Sequence, residues 1–167
     1  DVELFDQTPA YRSAEGTTDR ENVGLGGLDF LRETLGARDA TATCFVVSSL
    51  ADRCPDAIRA LADSGFEIGS HTHQHRLLST LDAEERREEL DRSRRVLEEL
   101  TDRSVSGFRA PAFDITDDHF DLLGSTGYGY DSSIVASRRI PGWYGGEYDL
   151  QRPAHGRPAQ PPARTVR

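Results

Sequence analysis

The chain has no methionine and no lysine, and it carries only two cysteines in 167 residues. It also lacks any apolar run near the roughly 20 residues that a membrane-spanning helix needs. Two cysteines, Cys44 in a strand-like run and Cys54 before Pro55, are too few for a disulfide framework and read as one buried thiol and one loop thiol. The missing methionine implies a trimmed or processed start, so a signal peptide cannot be sought at this N-terminus. The compartment therefore stays open, with a cytoplasmic setting favoured. A net charge of −9 gives no basic footprint, which argues against nucleic acid as a partner. An acidic surface without lysine is also common in salt-adapted proteins, so a halophilic source is the compositional expectation.

Charge is unevenly spread. Residues 151–167 hold Arg152, Arg157, Arg164 and Arg167 and no acid, so removing them leaves −13 for residues 1–150. That last segment also holds four of the eight prolines and almost no bulky apolar side chain. It reads as a disordered tail or as sequence foreign to the domain before it.

Within residues 1–150, strand-like and helix-like segments alternate. Gly24 to Leu35 reads as a helix with Val23, Leu28, Leu31 and Leu35 roughly on one face. The β-branched, apolar run Thr41 to Val47 reads as a buried strand. Pro55 to Ala62 is helical, with proline in the first turn and Gly65 as the stop. Phe66 to Gly69 is a short strand. Asp82 to Leu100 is a long helix, with Asp82 as cap and Glu85 as its reciprocal partner. Its many charges read as a solvated face, with Glu88/Arg92 and Asp91/Arg95 as i,i+4 pairs. Val105 to Phe108, Thr116 to Leu123 and Tyr128 to Asp131 complete the series as strand, helix and strand end. No internal repeat is present. This order implies parallel βα units in an α/β fold, where chemistry collects at the C-terminal ends of strands.

Four places satisfy that rule: Asp1–Glu3, Ser70–His75, Arg109–Phe113 and Asp131–Ser133. The densest is His71-Thr72-His73-Gln74-His75, which holds three of the five histidines. A helical turn starting there would put His71 and His75 on one face, able to grip a cation, with His73 turned elsewhere. A lone H-x-x-x-H is more often a polar loop; the clustering after a strand weakens that alternative. An open catalytic site also needs an anionic ligand. Asp1 and Glu3 share a strand face, so one carboxylate can bind metal while the other stays free as a base. Arg109, ahead of the stiff Pro111, can donate to a carboxylate or simply end a strand at the surface. Asp131 can serve the site or form an Asx-type turn.

Taken in order, D-x-E, "ATATCFVV", "GFEIGSHTHQH", "GFRAPAF" and "GYGYDSS" resemble the NodB-homology polysaccharide deacetylases, carbohydrate esterase family four. The resemblance covers about residues 1–135 and is closest to the branch whose first motif reads Asp-Val-Glu. It implies a distorted (β/α) barrel, here lacking its last strand or strands, over residues 1–150. It implies a metal-dependent hydrolase that removes acetyl groups from an N-acetylated glycan or sugar. By motif, Asp1 matches the general base and Glu3, His71 and His75 the metal ligands, with glutamate in place of the commoner aspartate. Arg109 matches the residue that orients the base, and a backbone N–H near Phe113 a donor to the oxyanion. Asp131 falls in the fourth motif. The cofactor implied is a divalent metal, zinc first, with cobalt, nickel or manganese as alternatives. The fifth motif, which supplies the general acid, has no match; His155 lies in no strand-like segment. Trp143, Tyr144 and Tyr148 offer rings for stacking on a sugar, or ordinary loop packing. Alternatives are an allantoinase-like hydrolase of small amides, and an inactive domain that binds metal or sugar without turnover. Oligomeric state is not legible.

Overall fold

The computed structural model describes residues 1–8 and 22–134. The 151–167 segment, His155, Trp143, Tyr144 and Tyr148 lie outside the described residues.

The elements follow from local chemistry. β1 (Thr43–Val46) is the core of the apolar run, with Cys44, Phe45 and Val46 buried. α1 (Gly26–Gly36) precedes it and turns Leu28, Leu31 and Leu35 toward the core without burying any residue fully. After β1 a short helix, α2 (Leu50–Arg53), breaks at Cys54. Pro55 then opens α3 (Pro55–Asp63), where its missing N–H and fixed φ cost nothing in the first turn. Gly65, at φ 83°, makes the left-handed turn into β2 (Glu67–Ser70). Both cysteines are buried; Cys54 is the loop thiol expected, at the junction between α2 and α3.

α4 (Ala83–Thr101) has the expected cap. The Asp82 carboxylate accepts from the Glu84 and Glu85 N–H groups, and Glu85 accepts in return from the Asp82 N–H at 3.0 Å. The helix stops at Asp102, whose φ of 52° is left-handed. Its buried stripe is Glu89, Leu90, Ser93 and Leu97, so one member of its charge run faces inward rather than to solvent. The i,i+4 pair that forms is Arg94–Glu98 at 3.2 Å; Arg95 reaches the Asp91 carbonyl instead of its carboxylate. β3 (Gly107–Phe108), α5 (His119–Ser125) and β4 (Tyr130–Asp131) follow, each shorter than its sequence pattern. α5 starts three residues late, at His119, because Thr116 turns back through its hydroxyl to the Asp118 carboxylate.

The sheet runs β1-β2-β3-β4, all parallel, with Val2 bridged beside Val46 at the β1 edge. Thr43 pairs with Glu67, Ser70 with Phe108, and Phe108 with Asp131, so the strand ends line up. This is the expected α/β architecture with a parallel sheet; among the described residues the sheet is an open arc. α3 and α4 pack on each other and on β2. Ile58, Leu61, Ile68, Leu90, Leu97, Val105 and Phe108 fill the core. No helix among the described residues is long and apolar enough to cross a membrane.

Two glycines are required by close approach. A Cβ on Gly69 would lie 2.7 Å from the Phe45 ring and 3.2 Å from the Gly107 carbonyl, and a Cβ on Gly107 would collide with the Tyr130 hydroxyl. Phe45 is buried and boxed in by the strand pairing of β1 with β2. Substituting Gly69→Ala is therefore expected to destabilise the fold by about 1–3 kcal/mol, the cost of an overpacked core. Urea unfolding measures it: the midpoint should fall at constant slope, and an unchanged midpoint would contradict this packing.

Candidate metal centre

The first carboxylates are placed by backbone pairing. Val2 N–H donates to the Phe45 carbonyl at 2.7 Å, and Val47 N–H donates to the Val2 carbonyl at 3.1 Å. Val2 is buried, so its neighbours Asp1 and Glu3 both face the other way, as strand alternation requires. Each side chain keeps a little under a third of its surface exposed.

The histidines come from the loop that continues β2. His71 N–H still pairs with the Val46 carbonyl, while Ser48 and Ser49 N–H groups donate to the Thr72 and His73 carbonyls. The loop is not the helical turn that the H-x-x-x-H spacing suggests. Thr72 and His75 are both left-handed, at φ 65° and 56°, a conformation that costs non-glycine residues about 1–3 kcal/mol. His75 N–H donates to the Thr72 hydroxyl at 3.0 Å, which replaces the helical bond that is missing. The kinks, rather than a helix face, bring the two imidazoles together with ring centroids 5.0 Å apart.

Glu3, His71 and His75 offer ligand atoms that all lie within 4.8 Å of one another. Glu3 Oε2 is 2.6 Å from His75 Nε2 and 3.8 Å from His71 Nε2. Asp1 Oδ2 is also 3.8 Å from His71 Nε2. His71 Nδ1 meets the Arg109 carbonyl at 2.7 Å; a carbonyl only accepts, so the proton sits on Nδ1. Burial pulls the His71 pKa down to about 4, so at neutral pH Nε2 holds a lone pair. Burial also works against the Glu3 anion, but the adjacent His75 and His71 imidazoles outweigh it and hold the carboxyl below its usual range. A bare imidazole nitrogen thus faces two carboxylates, and Glu3 Oε2 is buried with no donor in hydrogen-bond geometry among the described residues. A carboxylate oxygen and two imidazole nitrogens converging within 4.8 Å of one another fit a bound cation, and this donor set suits zinc and similar metals.

Arg109 ties the centre to the neighbouring strands. Its Nη1 donates to Asp1 Oδ1 at 2.9 Å, its Nη2 to the Ser132 hydroxyl at 2.8 Å, and its Nε to the Ser132 carbonyl at 3.3 Å. Its guanidinium lies 4.3 Å above the Phe45 ring and 5.9 Å from the Phe113 ring. A cation over an aromatic face is favourable and fixes the plane of the fork.

The other sequence candidates lie beside the centre. The Phe113 N–H donates to the Ala110 carbonyl at 3.0 Å, within a turn where Ala112 and Phe113 are left-handed. Asp131 forms an Asx-type turn: Oδ2 accepts from the Ser133 N–H and Oδ1 from the Ser133 hydroxyl. Asp131 Oδ1 also accepts from His119 Nε2 at 3.0 Å. Ser133 Oγ in turn accepts from the Ala110 N–H at 2.8 Å, so this turn steadies the two residues that flank Arg109. His73 turns away, with Nδ1 2.9 Å from the buried Ser48 hydroxyl. Three contributors escape sequence reasoning: Phe45, Glu89 and His119. Phe45 reads as core. His119 and Glu89 sit on helices, where only tertiary packing shows that they face inward.

A family model described as polysaccharide deacetylase matches residues 29–130. The peptidoglycan deacetylase-like protein FGM2 of Gibberella zeae is 32% identical over 112 residues, or 67% of this chain and 33% of that protein. A crystal structure from Mycobacterium smegmatis, assigned as a polysaccharide deacetylase, aligns with a TM-score of 0.68 and 31% identity over 75% of this chain and 44% of that one. A CE4 family pseudoenzyme from Bacillus anthracis aligns with a TM-score of 0.62 and 24% identity over 65% of this chain and 38% of that one, a likeness of fold. The chain spans about a third of the length of the curated relatives it matches.

The donor set makes a direct prediction. Calorimetric titration of the full chain with zinc at pH 7.5 should show one ion per chain. His75→Ala should weaken binding by at least about 100-fold, more than loss of an outer contact would. Retained stoichiometric, equally tight binding in His75→Ala would rule out this ligand set.

Proposed function

Because the chain belongs to the polysaccharide deacetylase family, we propose that residues 1–150 form a metal-dependent hydrolytic domain that removes acetyl groups from N-acetylated glycans. The observation that carries this reading is the meeting of Glu3, His71 and His75 beside a fourth group, Asp1, which stays outside the ligand set. Three protein ligands leave coordination positions open for water and substrate, the pattern of catalytic rather than structural sites.

Glu3 Oε2, His71 Nε2 and His75 Nε2 would hold the ion, with zinc first by donor type and cobalt, nickel or manganese as alternatives. A divalent cation there supplies Lewis acidity, which polarises the acetamide carbonyl, acidifies a water and stabilises the oxyanion. Asp1 is the base in this reading. Arg109 occupies Oδ1, which leaves Oδ2 toward the centre. Asp1 takes the water proton as the oxygen bonds to the acetyl carbon. The C–N bond then breaks, the amine takes a proton, and acetate leaves. An acid outside the Glu3, His71 and His75 ligand set supplies that last proton. Asp131 and Ser132 act by fixing Arg109, not by touching the reacting atoms. The Phe113 N–H is engaged with Ala110, so its part here is the ring packed near Arg109.

Acetate release from N-acetylglucosamine oligomers tests this. Turnover should require added divalent metal, vanish with a chelator and return on zinc addition. Asp1→Asn should lower kcat by roughly 10²–10⁴-fold, the usual worth of a general base, with metal affinity little changed. Faster hydrolysis of small linear or cyclic amides than of the oligomers would transfer the site to an allantoinase-like activity. Tight metal binding without any acetate release would leave a binding domain.

A further inference from the structure

The loop that carries both imidazoles has a feature that ligand chemistry does not need. Between His71 and His75, the N–H groups of His73 and Gln74 point away from the centre and into the body of the protein. Both donate to a single carboxylate oxygen, Glu89 Oε2, each at 2.9 Å. Glu89 is buried on the inward stripe of α4, in a helix otherwise crowded with exposed charge. One turn on, the Ser93 hydroxyl meets the Ser70 hydroxyl at 2.7 Å, where β2 enters the loop. The same helix therefore grips the loop before and between its two histidines.

Strain gives this grip something to hold. Thr72 and His75 flank the two gripped amides, and both are left-handed. Thr72 is β-branched, for which that conformation is a true outlier. Left alone, a loop with two such residues relaxes toward ordinary backbone angles and carries His75 out of line with His71 and Glu3. Two adjacent N–H groups on one anionic oxygen are charge-assisted bonds, the strong kind, inside a protein interior where they are strengthened further.

We infer that Glu89 is a positioning residue for the metal centre: it clamps the His73 and Gln74 amides, so that His71 and His75 are preorganised before a cation arrives. The inference rests on the ligand set proposed above for its effect on metal, but not for its effect on the loop. Glu89→Ala should lower zinc affinity of the full chain about 10–100-fold, the range found when partners behind the ligands are lost. The His73 and Gln74 amides should also lose hydrogen-exchange protection in the metal-free protein. Glu89→Gln keeps a carbonyl oxygen for the two amides and should recover most of both. Glu88→Ala removes the same charge from the exposed face of the same helix and should leave both readouts within about twofold of the parent.

Circular dichroism establishes that each variant is folded. Should Glu89→Ala fail to fold, Glu89→Asp replaces it: a carboxylate one methylene shorter no longer reaches both amides, so loss of protection at His73 and Gln74 supports the clamp, and protection equal to that in Glu88→Ala overturns it. In a folded Glu89→Ala, unchanged protection of both amides overturns the clamp outright, whatever happens to zinc. If the parent binds no zinc while Glu89→Ala still deprotects the amides, the metal reading fails and the clamp stands. If the parent binds zinc and Glu89→Ala binds it equally well, the clamp does not serve the centre, and the inference fails while the ligand set survives.

Discussion

Two backbone hydrogen bonds, from Val2 to Phe45 of β1 and from Val47 just beyond β1 to Val2, fix everything that follows at the centre. They set which face of the first segment looks inward. A slip of one residue would turn Asp1 and Glu3 into the core and Val2 into the cleft. With the register as it is, an apolar residue covers the sheet edge and two carboxylates meet the β2 loop. The rest is a consequence of parallel strands ending at one level: His71 and His75 arrive from β2, Arg109 from β3 and Ser132 from β4. The shared end of the sheet is the reason residues more than 100 positions apart can touch.

Electrostatics then decides what the cluster is for. A deprotonated imidazole nitrogen facing two carboxylates is unfavourable on its own, and burial around His71 makes protonation a poor remedy. Arg109 neutralises one carboxylate, Asp1, and leaves the other, Glu3, without a donor in hydrogen-bond geometry. In the proposed reading this asymmetry separates two roles for two similar groups: Asp1, paired with Arg109, exchanges protons with water, and Glu3 holds a positive ion.

Much of this was legible in the sequence, and for a definite reason. The alternation of apolar runs with capped helical segments depends on local chemistry, so Pro55, the Asp82–Glu85 capping box and Gly65 mark real boundaries. The rule that parallel strands place chemistry at their C-terminal ends selects Asp1–Glu3, Ser70–His75, Arg109–Phe113 and Asp131–Ser133, and the structure brings Asp1, Glu3, His71, His75 and Arg109 together. What fails is anything that needs tertiary direction. The H-x-x-x-H spacing suggests a helical turn, yet tertiary bonds hold two left-handed kinks instead. Glu89 is indistinguishable by sequence from the seven other acids that precede Thr101 within its helix and cap, because only packing shows which face of α4 turns inward. Asp131, for which the sequence offers a site role or an Asx-type turn, forms the turn and also meets His119, a partner that only packing reveals.

The central claim is that Glu3, His71 and His75 share one cation. Anomalous diffraction at the zinc edge, from crystals of the full chain grown with equimolar zinc, tests it most directly. The account predicts a single peak about 2.0–2.2 Å from a Glu3 carboxylate oxygen, His71 Nε2 and His75 Nε2, with Asp1 outside bonding distance. A peak on other side chains, or no peak between these three, would contradict it.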